Sequence, residues 1–193
     1  MDRRELLKMI VAATGAAMVG LPALAQGKAA AVPVKTLFSD ADVGTLDEIA
    51  ETILPRTRTP GAKDAGAGLF MATFVSDCYT ARQQATFRAG LVDVDKRAGG
   101  RFVSLTPEAR TELLRTLDAE AKAKSHTAEV TETGTPEEGE AMPHYFTMLK
   151  QLAIFGFFTS KVGATGVLQY VAVPGRYDGD LAYVPGTPAW GTS

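Results

Sequence analysis

"PHYFTMLKQLAIFGFFTSK", residues 143–161, is the stretch on which the fold turns. Its spacing predicts a helix. Tyr145, Phe146, Met148, Leu149, Leu152, Ile154, Phe155, Phe157 and Phe158 leave little of that helix's circumference polar. A helix with one apolar stripe can rest on a core, whereas one apolar nearly all round must be buried nearly all round. Other elements therefore have to enclose it. In a chain of 193 residues, those neighbours are expected to leave part of it uncovered.

Three upstream segments supply such elements. "SDADVGTLDEIAETILP" (39–55) carries Val43, Leu46, Ile49, Ala50, Ile53 and Leu54 at helical spacing, with Ser39 or Asp40 as cap. Pro55 lacks an amide donor and should end the helix near Leu54. "RTRTPGAKDAGAG" (56–68) reads as a loop. Residues 69–100 read as one or two helices, with Leu69, Phe70, Thr73 and Phe74 on one apolar face and Phe87, Leu91 and Val94 on another. Gly99-Gly100 should close them. "SLTPEARTELLRTLDAEAKAK" (104–124) is the clearest helix, capped by Thr106, with Pro107 in its first turn and an apolar side of Leu113, Leu114, Leu117 and Ala121. "SHTAEVTETGTPEEGEAM" (125–142) is acidic and polar and reads as an exposed excursion.

The expected fold class is mainly α: a small helical domain with an irregular C-terminal segment, 166–193, rich in Gly, Pro and aromatic residues. Prolines limit that tail to short or edge strands. It could pack back on its own helices or lie across a partner, since Tyr and Trp are favoured interface anchors.

Chemistry-bearing residues are few. Acids and bases nearly balance, 22 against 20, and no basic block suggests nucleic acid. Cys78 is the only cysteine, which excludes an internal disulfide and an all-cysteine cluster. It should be either a buried thiol or a bond to another chain. His126 and His144 lie in separate segments without a partner signature. His144 reads as structural or interfacial, His126 as solvated, and Glu137-Glu138 as a solvated face. "GAKDAGAG" (61–68) lacks the Lys-Ser/Thr ending of a phosphate loop and follows a helix rather than a strand. No catalytic, cofactor-binding or metal-ligating residue is expected in this chain.

The N-terminus is of another kind. Arg3-Arg4 precede an Ala/Gly-rich apolar span, Met9–Leu24, and Ala23-Leu24-Ala25 fits a small-x-small cleavage site. Residues 1–25 therefore read as a signal peptide and 26–193 as the mature domain. The span is short for a membrane anchor and contains Gly15, Gly20 and Pro22. With Arg3, Arg4, Leu7 and Lys8, the head resembles a twin-arginine (Tat) signal; Asp2 and Leu6 depart from the usual Ser/Thr and Phe. The weak hydrophobicity of the span favours that route over an ordinary Sec signal. The Tat route exports proteins already folded, so the expected location is periplasmic.

Three stretches in order carry a family resemblance: "LDEIAETILPRTRTPGAKDAG" (46–66), "FFTSKVGATGVLQY" (157–170) and "VPGRYDGDLAYVPGTPAW" (173–190). They resemble the gluconate 2-dehydrogenase subunit 3 family, the small or gamma subunit of bacterial FAD-dependent sugar and sugar-acid dehydrogenases. Residues 81–140 match only in helical character. The resemblance implies a partner rather than an activity. That partner is a large flavoprotein of the glucose–methanol–choline (GMC) type, which holds FAD and oxidises the sugar. Many such enzymes add a multihaem cytochrome c subunit, which carries haem c. The small subunit supplies the export signal for both. Residues expected at the interface are Cys78, Phe155, Phe157, Phe158, Tyr170, Pro174, Gly175, Tyr177 and Trp190. A dedicated export chaperone that leaves after delivery, and an independent periplasmic sugar-binding protein, are the alternatives.

Overall fold

The computed structural model describes residues 36–129, 142–173, 175, 179–182 and 184–191. The chain divides into two compact units, Met1–Lys35 and Thr36–Ser193. The first, with its signal residues Arg3, Arg4, Leu7, Lys8, Ala23 and Ala25, lies outside the described residues.

The second unit is helical, as expected, with six α-helices among the described residues: α1 (Asp40–Ile53), α2 (Ala67–Cys78), α3 (Ala81–Arg97), α4 (Pro107–Glu129), α5 (Tyr145–Thr159) and α6 (Lys161–Gly166). The aromatic helix is α5, and each of the other five packs against it. Phe146, Met148, Leu149, Leu152, Ala153 and Phe157 enter the core from α5. Leu46 and Ile49 come from α1, Met71 and Val75 from α2, Phe87 and Val94 from α3, and Leu117 from α4. Burying each large apolar side chain stabilises the fold by about 1.5–3 kcal/mol, so this cluster dominates the enthalpy-poor, burial-driven part of folding.

The ends of α1 are local in origin. Ser39 Oγ accepts from the Asp42 amide at 3.2 Å, and Asp42 Oδ2 accepts from the Ser39 amide at 2.9 Å. This reciprocal pair satisfies two donors that the first turn leaves free. The helix stops before Pro55, as its missing donor requires.

The loop after α1 is held by carboxylates of α1 itself. Glu51 accepts from the amides of Arg56 and Lys63, both at 2.9 Å. Asp47 accepts from the Gly68 amide at 2.8 Å. Glu48 pairs with Lys63 and Arg110. Residues 62–65 form a 3₁₀ turn and α2 begins at Ala67, inside the stretch read as loop. Within 61–68 the Gly61, Lys63 and Gly68 amides thus bind the protein's own carboxylates and the Ala62, Asp64 and Gly66 amides bind carbonyls, so these donors are already engaged.

Residues 67–97 are two helices because Thr80 starts a new one. Thr80 Oγ1 accepts from the Gln83 amide at 3.4 Å, and Gln83 Oε1 accepts from the Thr80 amide at 2.9 Å. Gln84 Nε2 donates to the carbonyls of Val75, Ser76 and Tyr79, closing the end of α2. Gly99, at φ +70, ends α3. Thr106 caps α4 through the Ala109 amide at 3.3 Å. This helix runs on to Glu129, into the segment read as an irregular excursion. A helix already formed extends through residues free of Gly and Pro, and the first such breaker is Gly134. Residues 130–141, with Glu137-Glu138, lie outside the described residues.

One face runs opposite to the expectation from spacing. The core side of α2 is Gly68, Met71, Ala72 and Val75, whereas Leu69 and Thr73 turn outward and Phe70 and Phe74 are half-buried. Nearly every position on α2 is apolar, so periodicity alone does not say which side meets the core.

Two glycines test the packing. A Cβ on Gly68 would stand 2.5 Å from Asp47 Oδ1 and 2.7 Å from the Asp47 amide nitrogen, forcing α1 and α2 apart. Gly68→Ala should destabilise by about 1–3 kcal/mol in urea unfolding. Gly44, inside α1 with nothing within 4 Å of an added methyl, should give the opposite sign: Gly44→Ala should stabilise by about 0.5–1 kcal/mol.

Candidate partner interface

A chain of rings leads from the core to the surface. Phe87, fully buried, meets Phe38 edge to face at 5.8 Å and Tyr79 at 6.3 Å. Tyr79 meets Phe74 at 5.8 Å, and Phe74 meets Phe70 at 5.7 Å. Phe155 of α5 closes on Phe70 and Phe74, at 5.7 and 5.9 Å. Offset and edge-to-face contacts of this kind each add to simple burial. Phe155 is nevertheless 48% exposed, and Ile154, next to it in sequence, and Leu69 of α2 (46%) are also exposed. A ring pinned on one side and open on the other loses little freedom when it is covered, which is the property of an interface anchor.

The tail carries a second apolar area. From Val167 the chain leaves helical structure, and its one β-bridge among the described residues pairs Gln169 with Trp190 in parallel. The Gln169 amide donates to Ala189 O and the Gly191 amide to Gln169 O, both at 2.8 Å. Gln169 Nε2 donates to Pro188 O at 2.9 Å. This clasp closes the tail on itself around a cavity of about 670 Å³ bordered by Leu181, Val184 and Trp190. Tyr170, Val173, Leu181, Val184 and Trp190 (52%) all face solvent.

The expected interface residues separate on these facts. Phe155, Tyr170, Gly175 and Trp190 are exposed, and Phe158 is half-buried against Phe157 at 5.1 Å. Phe157 is 3% exposed, so its ring is spent on the chain's own core and offers no surface. Pro174 and Tyr177 lie outside the described residues. Cys78, at the end of α2, is an exposed free thiol, which removes the buried-thiol alternative. Cys78 recurs at the helical spacing of Met71 and Val75, so its exposure comes from its place at the very end of α2 rather than from an outer face.

The titratable groups serve the scaffold. Tyr145 donates to Asp93 Oδ2 at 2.6 Å, and Arg97 bridges Asp93 and Glu120 at 2.7 Å each. Asp118 accepts from Lys122 and Lys150, also at 2.7 Å. These contacts tie α3, α4 and α5 together. The Tyr145 hydrogen bond, helped by Arg97, holds the Asp93 carboxyl below the ordinary range. Burial, with the same bond, raises the Tyr145 phenol well above its own. His144 caps α5, its Nδ1 accepting from the Phe146 amide at 3.2 Å, so the structural reading of this residue holds. His126 falls within α4. Among the described residues no group of three or more His, Cys, Asp or Glu is placed to hold a metal ion. Nor is any helix among them long and apolar enough to cross a membrane.

An all-helical domain with pinned but uncovered aromatic surface defines a protein built to be part of something larger. The profile of the family described as Gluconate 2-dehydrogenase subunit 3 matches residues 40–175, and the chain belongs to that family. It is therefore a small subunit of a gluconate 2-dehydrogenase-type complex, with a dehydrogenase chain as partner. Neither a curated protein nor a solved structure matched the chain.

The Asp93 pair gives a direct check. Tyr145→Phe removes the largest influence that lowers the Asp93 carboxyl. Its pKa should rise toward the ordinary aspartate value, which shrinks the stability the carboxyl confers above about pH 4 and narrows from below the pH window over which that stability is lost. Carboxyl carbon shifts followed by NMR titration would read this, and an unchanged Asp93 titration would refute it.

Proposed function

We propose that this chain is the non-catalytic small subunit of an exported, FAD-dependent sugar or sugar-acid dehydrogenase. Its work is assembly of a GMC-type flavoprotein large subunit and twin-arginine export of the pair to the periplasm. In this scheme FAD resides in the large subunit, and a multihaem cytochrome c completes the electron path in complexes that have one.

The observation that carries the proposal is Phe155. Family membership calls for a partner, and Phe155, packed against Phe70 and Phe74, is an apolar ring that the chain's own helices leave half open. The exposed tail around Tyr170 and Trp190 extends the apolar area available to a large partner. Interfaces that are permanent resemble a core cut in half, which is how α5 looks: buried over most of its girth and bare at Ile154 and Phe155. The Arg3-Arg4 head supports the export half of the scheme. Its economy is that one signal serves two folded chains.

Two measurements test it. Co-expression with a GMC-type flavoprotein large subunit from the same genome should give a complex that co-purifies from the periplasm. Phe155→Ser should weaken that complex by about 2 kcal/mol, roughly thirtyfold in Kd, without unfolding the free chain. Replacing both Arg3 and Arg4 with Lys should strand dehydrogenase activity in the cytoplasm. If that activity still reached the periplasm, the shared-signal scheme would fall; if the mature enzyme lacked this chain, a transient chaperone would be the better description.

A further inference from the structure

Helix caps are ordinarily Ser, Thr, Asp or Asn, whose oxygens accept at any neutral pH. In α5 the cap is His144, and its acceptor is a ring nitrogen, Nδ1, 3.2 Å from the Phe146 amide. A neutral imidazole has one nitrogen that accepts and one that donates. Accepting at Nδ1 puts the proton on Nε2, which lies 4.0 Å from Glu120 Oε2. The ring also lies over Tyr145, centroids 4.5 Å apart.

We propose that His144 is a proton-operated cap: the neutral ring secures the first turn of α5, and the imidazolium releases it. Protonation fills the only lone pair that can receive the Phe146 amide, so that donor loses its partner. It also places a positive charge at the end of α5 where the helix dipole is already positive. Glu120 stands on the other side of the ring as the anion toward which an imidazolium would turn.

The groups facing His144 are Asp93 and Arg97 from α3, Glu120 and Lys124 from α4, and Tyr145 from α5 itself. Burial opposes the charged ring most strongly, and Lys124 and Arg97 add to that opposition. Glu120 and Asp93 favour it. Glu120 is already engaged by Arg97 at 2.7 Å, which weakens its pull. The balance leaves His144 titrating below its ordinary 6.5. A depressed folded-state pKa means that the cap's stabilisation is complete above the unfolded value and is lost as pH falls through the folded one. The segment loosened is the start of α5, where Tyr145 also binds Asp93. The device is therefore local to the joint of α3, α4 and α5, away from the Phe155 end of the same helix.

The test is hydrogen exchange of the full chain between about pH 7.5 and 5, read by mass spectrometry on peptides covering 142–149 and corrected for intrinsic rates. Protection at Phe146 should fall roughly fivefold over that range, the size of a lost cap. His144→Asn keeps a capping oxygen without a titrating ring and should hold the protection constant. His126→Asn should behave as the native chain. Constant protection in the native protein, or the same fall in His144→Asn, would overturn the proposal.

Discussion

Keeping the circumference of α5 out of water is the constraint on which the rest of the structure depends. Phe146, Met148, Leu149, Leu152 and Phe157 point in enough directions that no single neighbour could cover them. Five helices share the task. The placing of Gly156, where a larger residue would strike the Phe70 ring, follows from it. The task is left unfinished at one place. Phe155 stays half open, with Phe70 and Phe74 of α2 on one side of its ring, and Ile154 beside it in sequence is also exposed.

Directional bonds then choose among the packings that burial permits. The acidic side of α1 is the clearest case. Glu51 lies three and four residues beyond Glu48 and Asp47, on the same side of the helix; Asp47 takes the Gly68 amide, Glu48 the Lys63 ammonium and Glu51 the Lys63 amide of the returning chain. Together they convert a Gly/Pro-rich connection into a fixed bend that sets α2 against α1. Exposed ion pairs add little alone. Here the partners include backbone amides, whose loss inside a packed turn would leave donors unsatisfied. The stretch 46–66 is thus a mechanical joint.

Much of this was legible in advance. The Ser39 cap, the stop at Pro55, the Thr106-Pro107 start and the Gly99 end each rest on a rule that acts over four or five residues. The break at Tyr79-Thr80 was legible too, since Thr80 and Gln83 have the spacing of a capping box, but it calls for attention to two polar residues inside an apolar run. The family resemblance drew on three ordered stretches, of which 46–66 and 157–170 lie inside the matched region 40–175 and 173–190 almost wholly outside it. The outward side of α2 was not visible. Its residues are apolar on both sides, and periodicity separates core from surface only when one side is polar.

By itself, then, the sequence determined the helical class, most helix ends, the central burial of α5 and the family, because each of these follows from interactions between near neighbours or from apolar content summed over a segment. Tertiary structure decided which apolar residues are spent on the chain's own core and which are left over. Phe155 and Phe157 are two positions apart and chemically identical, yet one is half open and the other sealed. Their fates depend on what stands opposite them across the bundle: Phe155 lies against the outward rings of α2, and Phe157 against the interior. The same holds for Cys78, which shares the helical face of the buried Met71 and Val75 yet is exposed at the last residue of α2. A partner reads that leftover surface, and only the packed bundle defines it.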